Sequence, residues 1–64
     1  MKINRKKLEI AMAGACLNAK DLAIAAELPR PTLNNVITGR NVRPATIGKI
    51  AKALNVPVET LIED

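Results

Sequence analysis

The apolar residues of this 64-residue chain recur at helical spacing in short runs, which proline, glycine and asparagine residues separate. The first run follows the i, i+3, i+4, i+7 spacing of an amphipathic helix: Leu8, Ala11, Met12 and Ala15. Asn4 precedes it as a candidate N-cap, and Ile3 and Leu8 suit a hydrophobic staple around that cap. The pattern predicts a first helix over about residues 5–15.

Two helices separated by a short turn are predicted next. Asn18 is a candidate N-cap for a second helix over about residues 19–26. A third helix over 30–38 begins at Arg30, because proline disfavours helix in the residue before it but is tolerated in a first turn, as at Pro31. Gly39 is placed to end this helix.

The C-terminal part predicts two more helices. Pro44 starts a fourth helix that ends at Asn55, and Pro57 opens a short fifth one. No segment shows the alternation of a strand. We therefore expect a single all-α domain over residues 1–64, made of five helices around one core.

Composition excludes several classes of site. The chain has no Phe, Trp, Tyr or His and only one cysteine, Cys16, so it cannot form an internal disulfide, a Cys/His zinc site or a Cys-His catalytic pair. We expect no metal, no cofactor, no small-molecule ligand and no enzymatic activity. Cys16 is interpreted as a small core residue, with a redox sensor as the alternative.

No apolar stretch approaches the roughly 20 residues that a membrane span needs. No membrane partner is expected, and the predicted location is the cytoplasm, in association with the nucleoid. The charge is uneven: residues 1–56 carry all ten Lys and Arg and three of the six acidic residues, a net charge of +7. This excess suggests a polyanionic partner, although net charge also serves solubility.

The predicted third helix has an unusual outward face. Leu33, Val36 and Ile37 fall on one side of a helical wheel. The other side is polar and carries no acid: Pro31, Asn34, Asn35 and Thr38, with Arg30 at its N-terminal end. Arg pairs with guanine and Asn with adenine in the major groove of DNA, so Arg30, Asn34 and Asn35 are candidate base readers.

Polar groups flank this helix on both sides in the sequence. Asn18 and the N–H groups of residues 19–21, Ala19 and Lys20 among them, lie at a predicted helix N-terminus, which favours anions. Arg40, Asn41 and Arg43 follow the predicted third helix. The two sets would contact phosphates on either side of a groove.

Residues at interior positions of this helix pair resemble the lambda-repressor and Cro-like (Xre-type) helix-turn-helix regulators. The residues that carry the resemblance are Ala19, Leu22, Ala23, Ala26, Leu28, Leu33 and Val36, and residues 43–56 resemble the family's fourth helix and the turn after it. The resemblance runs from about Leu8 to Ile62. It implies a five-helix domain whose third helix enters the major groove.

The resemblance also implies roles for individual positions. Arg30, Pro31 and Asn35 match the family's base-contacting sites, with Asn34 beside them, and Pro31 offers only an apolar contact. The positions that match or adjoin phosphate-contacting sites are Asn18, Ala19, Thr38, Arg40 and Arg43. Ala19 could serve only through its backbone N–H.

The chain departs from the family pattern at three places. Glu27 stands where glycine is usual, at a cost of about 1 kcal/mol if its backbone is left-handed. Pro29 replaces a common Ser or Thr cap. Met12 and Ile37 stand where the family often has an Arg–Glu ion pair, and because both partners differ together we predict that their side chains touch.

The leading hypothesis is a sequence-specific regulator of double-stranded DNA, either a repressor or an autoregulator of phage, mobile-element or antitoxin type. We expect a homodimer on two half-sites. Val58, Leu61 and Ile62 are the candidate dimer contacts, with a place in the core as the alternative. The competing hypothesis is a protein-interaction module of the same fold that binds an acidic protein.

Overall fold

The computed structural model describes residues 2–62 and has four α-helices and one 3₁₀ turn. The helices are α1 (Arg5–Ala15), α2 (Ala19–Ala25), α3 (Arg30–Ile37) and α4 (Pro44–Leu54). These bounds confirm the predicted all-α architecture and the first four helices to within one residue. The prediction of a fifth α-helix is wrong: after Pro57 the chain makes only the 3₁₀ turn Val58–Thr60, because Leu61 turns inward to the core and the next residue pairs with the N-terminus.

Side chains cap the first two helices as predicted. Asn4 Oδ1 accepts the N–H of Lys7 at 3.0 Å, and Asn18 Oδ1 accepts the N–H of Asp21 at 2.8 Å. Helices α3 and α4 have no side-chain cap and instead begin with a proline in the first turn. These helix starts are therefore set by the residue types that the sequence places there.

All four α-helices end in the same way, with a residue of positive φ just after the last turn. The N–H of that residue bonds the carbonyl three positions earlier, and the next N–H bonds the carbonyl five positions earlier, which is the Schellman motif. The positive-φ residues are Cys16 (59°), Glu27 (56°), Gly39 (80°) and Asn55 (57°). Only glycine, and to a lesser degree asparagine, adopts this conformation at little cost.

Two predictions are decided at these helix ends. Glu27 does adopt the left-handed backbone in the turn between α2 and α3. Cys16 is exposed at the end of α1, so its interpretation as a core residue is wrong. Cys16 occupies the left-handed turn that ends α1, and in this position its side chain lies at the surface.

The core is aliphatic and α4 supplies much of it. Fully buried side chains come from every helix: Leu8, Leu22, Leu33, Val36, Ile47 and Ile50. Helix α4 also buries Ala51 and Leu54, and it packs against α1, α2 and the 3₁₀ turn. Helices α2 and α3 pack on each other, so the helix-turn-helix pair is held on α4 mainly through α2.

The two ends of the described chain are joined. Ile3 and Ile62 form an isolated antiparallel bridge, the N–H of Asn4 bonds the carbonyl of Leu61 at 2.7 Å, and Lys7 Nζ donates to the carbonyl of Ile62 at 3.3 Å. Leu61 is completely buried. The prediction of Leu61 as an exposed dimer contact is therefore wrong, and Val58 and Ile62 are half-buried rather than fully exposed.

Candidate nucleic-acid interface

Helix α3 separates an apolar inner side from a polar outer side. Leu33 and Val36 have no exposed surface, and Ile37 is half-buried against the core. The outer side, which we call the α3 outer face, is exposed at every position: Arg30, Pro31, Asn34, Asn35 and Thr38. The helix is thus anchored by one side while the predicted base readers point away from the protein.

The start of α3 leaves backbone donors open. Pro29 occupies the N-cap position without a side-chain cap, and its carbonyl accepts the N–H of Leu33 at 3.1 Å. Pro31 has no N–H, so the first turn presents the N–H groups of Arg30 and Thr32 without an intrahelical acceptor. The end of the helix nearest Arg30 therefore carries both a guanidinium and partial positive charge from the backbone.

Thr38 closes the other end of α3 in a way that the sequence did not reveal. Its hydroxyl donates to the carbonyls of Asn34 (2.9 Å) and Asn35 (3.2 Å), and its N–H also bonds the carbonyl of Asn34. The hydroxyl proton is therefore directed into the helix. A phosphate oxygen can only accept hydrogen bonds, so a phosphate contact from Thr38 requires its hydroxyl to rotate away.

The predicted phosphate contacts that precede α3 lie at the N-terminus of α2. Asn18 and Lys20 are exposed, and Ala19 is half-buried. The N–H of Asp21 is already bonded to the Asn18 side chain, so the predicted set of open N–H groups is reduced to Ala19 and Lys20. Because Asn18 is exposed and only its Oδ1 is used in this bond, its side-chain amide N–H groups are donors that a phosphate could accept.

The predicted phosphate contacts that follow α3 lie in the loop between α3 and α4. Val42 packs against the core, while Arg40, Asn41 and Arg43 around it are exposed. The partly buried Val42 thus anchors the loop, while the two guanidinium groups stay on the surface. Neither Arg40 nor Arg43 has a carboxylate partner within the described part of the chain, which leaves both charges available to an anion.

A surface feature beside this interface was not predicted from the sequence. Ile24 on α2 is 68% exposed, and it lines a groove of about 490 Å³. We call this the Ile24 groove; its lining residues are Lys20, Ala23, Ile24, Glu27, Leu28 and Arg30. A helical wheel would have found Ile24, because it lies opposite the buried residues Leu22 and Ala26.

Met12 and Ile37 line the same cavity. Both are half-buried, and both line a cavity of about 200 Å³ between α1 and α3 that Arg5, Leu8, Glu9 and Ala19 complete. This shared cavity agrees with the predicted proximity of the two side chains. The direct contact between them stays a prediction.

This arrangement, with α2 and α3 packed across a tight turn and an exposed polar face on α3, is that of a helix-turn-helix domain. The family model for the Cro/C1-type helix-turn-helix DNA-binding domain matches residues 7–64. The chain belongs to this family. No curated protein sequence is significantly similar to it.

A solved structure shares the fold within a larger protein. The structure of a hydroxyethylphosphonate dioxygenase Y98F mutant is similar to the whole of this chain, with a TM-score of 0.84 and 30% sequence identity. The chain corresponds to 14% of the length of that dioxygenase chain. Within residues 2–62, no helix is long and apolar enough to cross a membrane.

Proposed function

We propose that this domain is a sequence-specific regulator that binds double-stranded DNA with α3 in the major groove. The observation that carries the proposal is the α3 outer face, where one guanidinium and two amide side chains are exposed with no carboxylate among them. These are the groups that recognise base edges, and a carboxylate would be repelled by the phosphates. The proposed role is binding rather than catalysis.

Three side chains carry the proposed readout. Arg30 pairs with a guanine, and Asn34 or Asn35 with an adenine. Pro31 lacks a donor and contributes an apolar surface that suits a thymine methyl group. Because the helix is only eight residues long, specificity depends on a few base pairs per domain.

Flanking groups supply the proposed phosphate contacts. The proposed contacts are Asn18, Lys20 and the N–H of Ala19 at the start of α2, and the exposed Arg40, Asn41 and Arg43 in the loop after α3. These contacts provide affinity without reading sequence. Thr38 contributes only if its hydroxyl gives up the carbonyls of α3.

We further propose that two copies act together on half-sites about 34 Å apart, since one short helix reads too few base pairs to select a site in a genome. The domain measures 25 × 22 × 17 Å, so two copies can lie side by side at that spacing. Val58 and Ile62, the half-buried members of the predicted dimer set, remain the candidate contacts. A repressor or autoregulator of phage, mobile-element or antitoxin type is the proposed biological role.

Salt titration of binding to duplex DNA tests the proposal. Binding through several phosphates should weaken by orders of magnitude between about 50 and 200 mM salt, while a preferred site stays ahead of random duplex. The proposal fails if no duplex is preferred over random DNA at physiological salt.

The similarity to part of a dioxygenase chain favours a second candidate, a protein-interaction module of the same fold. In that enzyme, the similar region is a small part of a longer chain. A domain of this kind would bind an acidic protein surface through its basic side. It would show no preferred duplex, which separates the two candidates in the same titration.

A further inference from the structure

The Ile24 groove combines an apolar floor with charged edges. Ala23, Ile24 and Leu28 form the apolar part, and Lys20 and Arg30 stand at the edges with Glu27. Neither Lys20 nor Arg30 has a carboxylate partner among the described residues. Among the residues that the structure describes, the groove is therefore partly apolar and edged by two cations without an ion-pair partner.

DNA binding accounts for only part of this surface. The cations suit phosphates, but an isoleucine with 68% of its surface exposed gains no favourable contact from the charged phosphate backbone of DNA. Ile10 is almost as exposed, at 65%, yet it lines none of the cavities described above. A single exposed apolar residue needs no explanation, whereas one in a concave site beside other apolar side chains suits a ligand.

The size and charge of the Ile24 groove indicate the kind of ligand that it can bind. A stable dimer buries roughly 800 Å² on each partner, about a fifth of the 4195 Å² surface of this domain, and six lining residues cannot supply that area. The contacts proposed above for a second copy, Val58 and Ile62, also lie outside the groove lining. A short segment with acidic residues beside apolar ones matches both the size and the charge of the groove.

We propose that the Ile24 groove binds an acidic amphipathic segment of a partner protein, with an apolar side chain against Ile24 and Leu28 and carboxylates near Lys20 and Arg30. Such a segment covers two cations that the proposed function assigns to DNA. Binding of the segment and of DNA therefore exclude each other. The exclusion rests on the proposed function, but the binding of the segment does not.

A peptide selection tests the proposal. Random peptides of about 15 residues, long enough for a marginal helix, are selected on the immobilised whole chain and counter-selected on Ile24→Asp. Enriched peptides should carry Asp or Glu together with Leu or Ile at i, i+4 spacing. In fluorescence anisotropy, Ile24→Asp should weaken their binding roughly tenfold or more, because the apolar contact is lost and a like charge is added.

Ile10→Asp is the matched control, since it makes the same change at an equally exposed isoleucine on α1, and it should leave peptide affinity within about twofold. Ile24→Ala serves as a second variant that adds no charge and should also weaken binding. Thermal unfolding of each variant verifies the fold. The proposal is overturned if no enriched peptide depends on Ile24, or if Ile10→Asp weakens binding as much as Ile24→Asp.

Two further measurements separate the alternatives. Sedimentation of the chain alone that shows a dimer lost in Ile24→Asp would overturn the proposal in favour of a second copy. Duplex DNA should displace a bound peptide, and simultaneous binding of both would overturn the exclusion. Peptide binding in a chain that prefers no duplex would refute the proposed DNA function while leaving the groove assignment intact.

Discussion

Helices α1 and α3 are built alike on the inside and differently on the outside. Each buries a leucine, Leu8 in α1 and Leu33 in α3. The exposed positions of α1 mix both charges with apolar residues: Lys6, Glu9, Ile10 and Ala13. The α3 outer face instead has one cation and two amides and no acid.

The difference separates the inner sides, which hold both helices in the core, from the α3 outer face, which we propose recognises DNA. Adjacent asparagines in a helix cost roughly 0.5 kcal/mol each relative to alanine, so Asn34 and Asn35 do not improve the stability of α3. If the outer side of α3 served only to face the solvent, we would expect it to carry mixed charges like the exposed side of α1. We therefore expect substitutions on the inner sides to act alike in both helices, and substitutions on the outer sides to act differently.

The largest effect should come from the inner sides. Leu8→Ala and Leu33→Ala should each lower the free energy of unfolding by about 2–5 kcal/mol, because each removes a fully buried side chain and leaves a cavity. Urea unfolding followed by circular dichroism measures this. A loss below about 1 kcal/mol at Leu33 alone would mean that α3 is not anchored as the structure shows.

Substitutions on the outer sides of α3 and α1 should have different effects on DNA binding. Arg30→Ala and Asn35→Ala should each cost about 1–3 kcal/mol on the preferred site and relax the preference at particular base pairs. Lys6→Ala on α1 removes the same charge as Arg30→Ala and should leave base preference unchanged. Competition with single-base variants of the site measures these preferences.

Arg43 should affect affinity without affecting sequence preference. Its guanidinium lies in the loop beyond α3, so Arg43→Ala should weaken binding to all duplexes alike and reduce the slope of log K against log salt by about one. Salt titrations of wild type and variant on two different duplexes provide the test. Equal, sequence-blind losses from Arg30→Ala, Asn35→Ala and Arg43→Ala would refute the assignment of base readers.

The smallest expected effect concerns the ends of α1 and α2. Cys16→Gly and Glu27→Gly should each raise the free energy of unfolding by about 1 kcal/mol, because both residues have positive φ. Gly39→Ala, at the end of α3, is the opposite control and should lower it. Thermal unfolding measures all three, and a loss of stability in both glycine variants would contradict this account of the helix ends.

Local chemistry allowed the helices and the α3 outer face to be predicted. Asn4, Asn18 and the prolines at 29, 31 and 44 mark helix starts whatever surrounds them, and the period of Leu33, Val36 and Ile37 fixes which side of α3 is buried. These signals act over a few residues, so a single sequence contains them.

Features that depend on contacts between segments, or on the backbone geometry of a helix end, were predicted wrongly or missed. Leu61 is buried where Asn4 bonds its carbonyl and Ile3 pairs with the next residue, and a three-residue turn has no period that would reveal this. Cys16 is exposed because the left-handed end of α1 turns its side chain outward. The Ile24 groove forms only when α2 and the start of α3 are brought together by the turn at Glu27.

Selection of binding sites from random duplexes, carried out with the wild type and with Arg30→Ala, tests the central claim most directly. The account predicts a defined site for the wild type, containing guanine opposite Arg30, and loss of preference at that base pair alone in the variant. A wild type that selects no site, or a variant that selects the same site with the same preferences, would contradict the assignment of α3 as the reading helix.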